Sequence, residues 1–319
     1  MIAGRAVAGE VEPLGRVGLG LVAVLVAVTI GLGGCAVLLS DGSQASTADG
    51  GSVAGSTGSS AAGSAAVPSG WELLDEQAAA TCAGLPWAVL AAIGRIESDS
   101  GRSAAPGVAS GANAAGAEGP MQFEPATFVA FATVGPDGEV PPSPYDPVDA
   151  VYTAAKLLCA DGGGTPGGLA GAVLDYDHSP AYVNSVLVLA TALEEDPRLG
   201  AVPAGALQFA AAQIGVPYRW GGTGTGGFDC SGLVQAAYRA AGVALPRVAQ
   251  NQYEAGPRLA DGASVRPGDL VFFGGSVDGI DHVGIYVGAG EMVDAPHTGA
   301  DVRVEGASWP DLIGATRPG

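Results

Sequence analysis

The sequence predicts a multidomain chain: an N-terminal transmembrane helix, then a mainly α domain, then an α+β domain with an antiparallel sheet. Three observations predict it. Residues 17–39 carry no charge, residues 70–198 repeat apolar side chains at helical spacing, and residues 204–319 pass from a helical stripe to alternating runs punctuated by turns. At 319 residues the chain is long enough for two domains plus tails, and a hydrophobic fraction of 48% excludes wholesale disorder. A net charge of -19 excludes nucleic acid as a partner, because no basic patch is available to neutralise phosphates.

Residues 1–16 are read as a cytoplasmic N-terminus. The 23 residues from Val17 to Leu39, at about 1.5 Å each, span a hydrocarbon core of about 30 Å. Arg5 and Arg16 favour an inside N-terminus, a bias tempered by Glu10 and Glu12. Three readings stand: an uncleaved single-pass anchor in the cell membrane, a cleaved signal peptide, and a lipoprotein signal processed at Cys35, since Leu32-Gly33-Gly34-Cys35 loosely resembles a lipobox. All three place the rest outside the cytoplasm, membrane-held in the first and secreted or lipid-anchored in the others. Residues 40–69, almost entirely Gly, Ser, Ala and Thr, form a flexible linker.

That placement governs the cysteines. Cys35 belongs to the membrane segment, so Cys82, Cys159 and Cys230 meet an oxidising compartment in odd number, and one thiol is left over. Cys82 and Cys159 both flank helical stretches of residues 70–198 and are the expected disulfide, worth about 4 kcal/mol in the chain-entropy model. Cys230 is then free. No Cys or His spacing suits a zinc site, so no metal and no cofactor is expected.

In residues 70–198, Pro86 is placed at the first turn of a helix running through Ser98. Trp87, Val89, Leu90, Ile93 and Ile96 cover one broad face, with Glu97 in its middle and Arg95 pointing away. A carboxylate in an apolar stripe is driven toward neutrality, which suits a general acid; a fraying helix end would instead leave it solvated. The order of Glu97-Ser98, a Gly-rich segment with Met121-Gln122-Phe123, a Pro-led helix before Cys159, and Tyr176-Asp177 resembles the lytic transglycosylase and lysozyme-like family. The resemblance implies cleavage of the N-acetylmuramic acid–N-acetylglucosamine bond of peptidoglycan with Glu97 as acid and then base. It implies a cleft lined by Met121, Gln122 and Tyr176. Asp177 stands where the family has Asn, so a second carboxylate (Asp177, Glu118 or Asp99) keeps muramidase hydrolysis open beside transglycosylation.

Residues 199–203 are read as a connector. Beyond it, Ala204 to Ile214 carries a helical stripe, and Gly226-Gly227-Phe228-Asp229-Cys230 leads into a second helix. Asp229 is a good N-cap, which puts Cys230 at the first helical position, where free N–H groups and the helix dipole favour a thiolate. Leu270 to Phe273 reads as a buried strand, and His282 to Val287 alternates before Gly288-Ala289-Gly290 turns it back into Glu291 to Ala295. With that three-residue loop Tyr286 faces Met292, and Asp294 shares a sheet face with His282, with Gly284 leaving space between. An imidazole oriented by a carboxylate is what activates a thiol.

Pro217-Tyr218-Arg219-Trp220-Gly221-Gly222, Phe228-Asp229-Cys230-Ser231-Gly232, Leu245-Pro246-Arg247, Arg266-Pro267-Gly268-Asp269 and His282-Val283-Gly284-Ile285-Tyr286 together resemble the NlpC/P60 cysteine peptidases over residues 204–319. The resemblance implies a papain-like core, a Cys230 nucleophile, His282 as base and Asp294 as third residue, with His297 its rival. It also implies that Tyr218, Asp229, Ser231 and His297 line a peptide cleft. The whole then reads as a bifunctional peptidoglycan hydrolase that cuts stem peptides after D-glutamate and glycan at Glu97. The alternative is a peptidase whose first domain only binds glycan. Conjugation, growth and division are all roles open to such an enzyme.

Overall fold

The computed structural model describes residues 70–319; the cytoplasmic N-terminus, membrane segment and linker expected over residues 1–69, with Cys35, lie outside the described residues. Among the described residues no helix is long and apolar enough to cross a membrane.

The first six helices are α1 (Trp71–Ala79), α2 (Trp87–Ser98), α3 (Pro125–Phe131), α4 (Pro147–Ala160), α5 (Leu169–Asp177) and α6 (Pro180–Glu195). Their starts follow from local chemistry. Asp146 caps α4 by accepting from the N–H groups of Val148 and Asp149, and Ser179 caps α6 by accepting from that of Tyr182, each just before a proline at the first turn. Pro86 sits one residue earlier than expected, as the cap of α2.

Helix α2 is buried on all sides, not on one face: every residue from Ala88 to Arg95 is withdrawn from solvent. Its alanines let α1, α4 and α6 pack around it, and a helix apolar all round belongs at the centre. Arg95, expected to point away, is therefore buried too. A disulfide joins Cys82, after α1, to Cys159 in the last turn of α4, closing a sequence separation of 77 residues at a Cα–Cα distance of 5.8 Å.

The remaining elements are α7 (Ala201–Ala211), a short ribbon of β1 (Thr223–Gly224) and β2 (Gly227–Phe228), α8 (Cys230–Ala240), α9 (Ala249–Ala255), and β3 (Leu270–Ser276), β4 (Gly279–Gly288), β5 (Glu291–Asp294), β6 (Arg303–Gly306) and β7 (Leu312–Thr316). The expected connector contributes the first turn of α7, since Pro203 within a first turn forfeits no intrahelical bond. The last five strands form one antiparallel sheet in the order β6-β5-β4-β3-β7.

The sheet is apolar on both faces. Leu270, Phe272, Val283, Ile285 and Val293 join α7 and α8 in a core that continues without a break into the helices of residues 70–198. Val271, Phe273, Met292, Ala307 and Ala315 make a smaller cluster on the opposite face, covered in part by Trp309. Helix α6 packs against both α7 and β4. Its last residue, Glu195, accepts from the N–H of Ala289 at 2.8 Å and from the hydroxyl of Tyr286 at 3.4 Å, in the turn between β4 and β5.

Candidate active site

Cys230 is the first residue of α8, and Asp229 caps the helix by accepting from the N–H of Gly232 at 2.7 Å. Three more donors fix that carboxylate: the N–H of Gly221 at 2.9 Å and the two Arg247 amino groups at 2.9 and 2.6 Å. Arg247 also reaches the Ser231 hydroxyl at 3.0 Å. A side chain at Gly232 would collide with the Gly222 carbonyl, so glycine there lets the 219–222 loop lie against the helix start. Asp229 and Ser231, expected to line the cleft, are buried, and their side chains build the thiol's platform around Arg247.

His282 comes to the thiol from β4. Its Nε2 lies 2.7 Å from Asp294 Oδ2 across to β5, which leaves Nδ1 for Cys230. The thiol sulfur also lies 3.8 Å from the Asp281 carbonyl. Burial works against a charged imidazole, but hydrogen bonds to Asp294 and Cys230 and the negative charge of both outweigh it, bringing His282 up to about 9. Asp294 is fully buried, and that burial, with the neighbouring Glu305, holds its carboxyl above the usual range despite the His282 bond. Tyr286 stands opposite Met292 as expected, but the three-residue loop is not formed: Gly288 pairs with Glu291 across the two-residue turn Ala289-Gly290, and a bulge between Tyr286 and Gly288 keeps the register. The room predicted at Gly284 is filled by the Met292 side chain, which packs where a Cβ would stand.

Tyr218 is half-buried, bridged to Phe228 two residues before the thiol, and raised in pKa by burial and by the charges of Cys230 and Asp229. His297 lies beyond β5, exposed, with its Nδ1 3.1 Å from the Thr298 carbonyl. Asp294, not His297, is the group bonded to His282. Two side chains were given no role by the sequence. Trp309 stacks on the His282 ring at 5.1 Å and 25°, and Arg247 stood in a quoted motif without a role. Short-range pattern could not have revealed either contact.

A second cluster surrounds Glu97 at the end of α2. Its carboxylate accepts from the Tyr182 hydroxyl at 2.6 Å; burial, only partly offset by that bond, and the nearby Asp177 charge raise it from 4.5 to about 7. Tyr176 stacks flat on Tyr182 with centroids 6.4 Å apart, and its hydroxyl donates to the Met121 carbonyl at 2.7 Å. Met121 is fully buried beneath Gly94, so its side chain packs the core and does not line the cleft as expected. Gln122 donates to the Gly119 carbonyl and accepts from Asn113, bracing its own loop. Of the three candidate second carboxylates, Asp177 is the one whose field reaches Glu97; Asp99 is paired with Arg102. Tyr182 is the residue that sequence reasoning missed. Among the described residues no group of three or more His, Cys, Asp or Glu side chains is placed to hold a metal ion.

Residues 215–310 match the NlpC/P60 family, and this part of the chain is an NlpC/P60 domain. The chain is 50% identical over 103 residues to the bifunctional muramidase/DL-endopeptidase CwlT of Bacillus subtilis, a match covering 31% of this chain and 31% of that protein. It is 42% identical over 106 residues to the peptidoglycan endopeptidase RipA of Mycobacterium tuberculosis, covering 29% and 22%. The solved structure of the peptidoglycan hydrolase RipB from Mycobacterium tuberculosis is 35% identical, with 36% of this chain and 64% of that chain covered and a TM-score of 0.33. The two curated relatives are thus matched over less than a third of their own lengths.

Proposed function

We propose that this chain is a bifunctional peptidoglycan hydrolase: a cysteine DL-endopeptidase acting through Cys230, His282 and Asp294, and a glycan-cleaving enzyme acting through Glu97. The observation that carries the peptidase half is a free thiol at a helix N-terminus, hydrogen-bonded to a buried histidine that a buried carboxylate orients, inside an NlpC/P60 domain. The Cys230 thiolate attacks the amide carbonyl between D-glutamate and the diamino acid after it. Backbone N–H groups at the start of α8 stabilise the oxyanion, His282 gives its proton to the leaving amine, and water then releases the acyl group. No cofactor enters these steps.

The glycan half is supported by Glu97, whose carboxyl is held near neutrality between a tyrosine donor and a carboxylate, as a general acid requires. The names of CwlT and of RipA favour the same substrate. The Cys82–Cys159 disulfide and the uncharged run at 17–39 favour action outside the membrane to which the chain is tethered.

Digestion of purified peptidoglycan by the full-length chain, with mass spectrometry of the soluble fragments, tests both halves. New amino termini on the diamino acid are expected from wild type and not from Cys230→Ala. New glycan ends are expected to vanish in Glu97→Gln, with anhydro-muramic ends indicating transglycosylation and reducing muramic ends hydrolysis. Peptide release surviving Cys230→Ala would sink the peptidase reading, and glycan ends surviving Glu97→Gln would leave the first domain a binding module.

A further inference from the structure

Asp294 uses one oxygen on His282; the other, Oδ1, is buried and receives no hydrogen bond from any donor among the described residues. On the neighbouring strand Arg303 stands opposite Asp294 and Glu305 opposite Met292, which puts Glu305 on the same sheet face, diagonal to Asp294. Arg303 grips one Glu305 oxygen from two nitrogens, at 3.0 and 2.7 Å. The other, Oε1, is buried and is likewise without a donor. Two inward carboxyl groups therefore meet behind the histidine, each with one oxygen committed to a cation and one to spare.

We propose that Glu305 is a positioning residue for His282: with Asp294 it forms a carboxyl pair that holds one proton between Asp294 Oδ1 and Glu305 Oε1, and so sets the pH range over which the Cys230–His282 ion pair exists. This rests on the reading of Cys230 as the nucleophile. Two carboxylates side by side in a buried site do not both ionise, and the shared proton satisfies both orphaned oxygens at once. The charges around the pair are consistent with one proton. His282 from β4 and Arg303 from β6 contribute two positive charges, Cys230 from α8 one negative, and a singly protonated pair one more. On the thiol side Tyr218 is a neutral phenol, and Asp229 and Arg247 are charged but paired with each other at 2.6 Å; on the other sides Phe273 of β3 and Trp309 lie over the imidazole, and α7, which also packs on β5, contains no charged residue. Besides burial, the charge of Glu305 acts to hold Asp294 protonated, against the pull of His282.

The test is the pH profile of Cys230 alkylation by iodoacetamide, read on the Cys230 peptide by mass spectrometry in the full-length chain, together with kcat/KM for stem-peptide release. Glu305→Gln keeps a hydrogen-bond donor for Asp294 and removes the shared proton, so the pair's single negative charge is fixed on Asp294 beside the imidazole. Both limbs of the profile are then expected to move to higher pH by about half a unit or more, with the rate at the new optimum within about threefold of wild type. Arg303→Gln removes the compensating cation, and both limbs are expected to move upward. Limbs that stay in place in both variants would overturn the proposal, as would unfolding of both by near-ultraviolet circular dichroism, which would make the pair merely structural. His282→Ala separates the two readings. If it leaves the alkylation profile unchanged, the nucleophile reading fails; if it moves the profile and Glu305→Gln does not, only the carboxyl pair fails.

Discussion

Asp294 Oδ2 lies 2.7 Å from His282 Nε2, a bond made where neither side chain is open to solvent. That bond settles which ring nitrogen faces the thiol and supplies the negative charge that keeps the imidazole protonated. Replacing Asp294 by Asn keeps a polar partner but removes the charge, so His282 falls from about 9 toward its ordinary value and thiolate is lost at neutral pH. Stem-peptide release is expected to drop on the order of 10²-fold or more, with slower alkylation of Cys230 at pH 7. An Asn variant that alkylates like wild type would remove Asp294 from the mechanism.

Glu97 makes stability and activity pull in opposite directions. Its folded-state value, raised from 4.5 to about 7, means that the folded chain holds a proton the unfolded chain has released, so stability is lost as pH rises through that window. Glu97→Gln is expected to remove glycan cleavage and to raise the melting temperature at pH 8, with little change at pH 4. Tyr182→Phe deletes the hydrogen bond that lowers the Glu97 value and is expected to move the optimum of glycan cleavage upward. A Gln variant with no gain at pH 8 would show that the carboxylate is not desolvated.

Arg247 ties the cap of α8 to the loop before it. Its side chain is about a third exposed (34%), so solvent screening limits its ion pair with Asp229 to about 1 kcal/mol. In Arg247→Met the melting temperature is expected to fall by only about 2–4 °C. Peptide release is expected to fall about tenfold, because a loosened cap displaces the sulfur. Release that tracks the small thermal loss would reduce Arg247 to an ordinary surface pair.

The parts of the site that short stretches of chain dictate were legible in the sequence. Asp229 caps the helix that Cys230 begins, and Tyr286 stands against Met292 as the glycines of the turn suggest, although the turn is the two residues Ala289-Gly290 with a bulge before Gly288 and not the three expected. What escaped was chosen by packing over long separations. The Tyr182–Glu97 bond spans 85 residues, Trp309 reaches the histidine from the loop between β6 and β7, and Glu305 reaches Asp294 from β6, placements that no local pattern reports. The misplacement of Arg95 and Met121 has the same origin. A periodicity shows which residues are apolar, but α2 is enclosed by three neighbours, and only their arrangement shows that no face of it meets water.

Asp75 offers a test apart from either centre. It is fully buried in α1, neither carboxylate oxygen has a hydrogen-bond partner among the described residues, and burial pushes its carboxyl well above 3.8. The folded state must keep this group protonated, so its cost appears as pH rises above the ordinary carboxylate value. Asp75→Leu is expected to raise the melting temperature at pH 8 by about 3–8 °C and to flatten its decline with pH. Equal or lower stability would mean that the carboxyl has a partner in solution.

Helix α6 carries Tyr182 in its first turn, against Glu97, and ends in Glu195, against the turn that joins the His282 strand to the Asp294 strand. Glu195 lies thirteen residues on from Tyr182, a rise of about 20 Å along the helix. If both centres work on one piece of wall, the gap between a cut sugar bond and a cut peptide bond is not left to chance. A stretch of α-helix becomes the strut through which one centre is braced against the other.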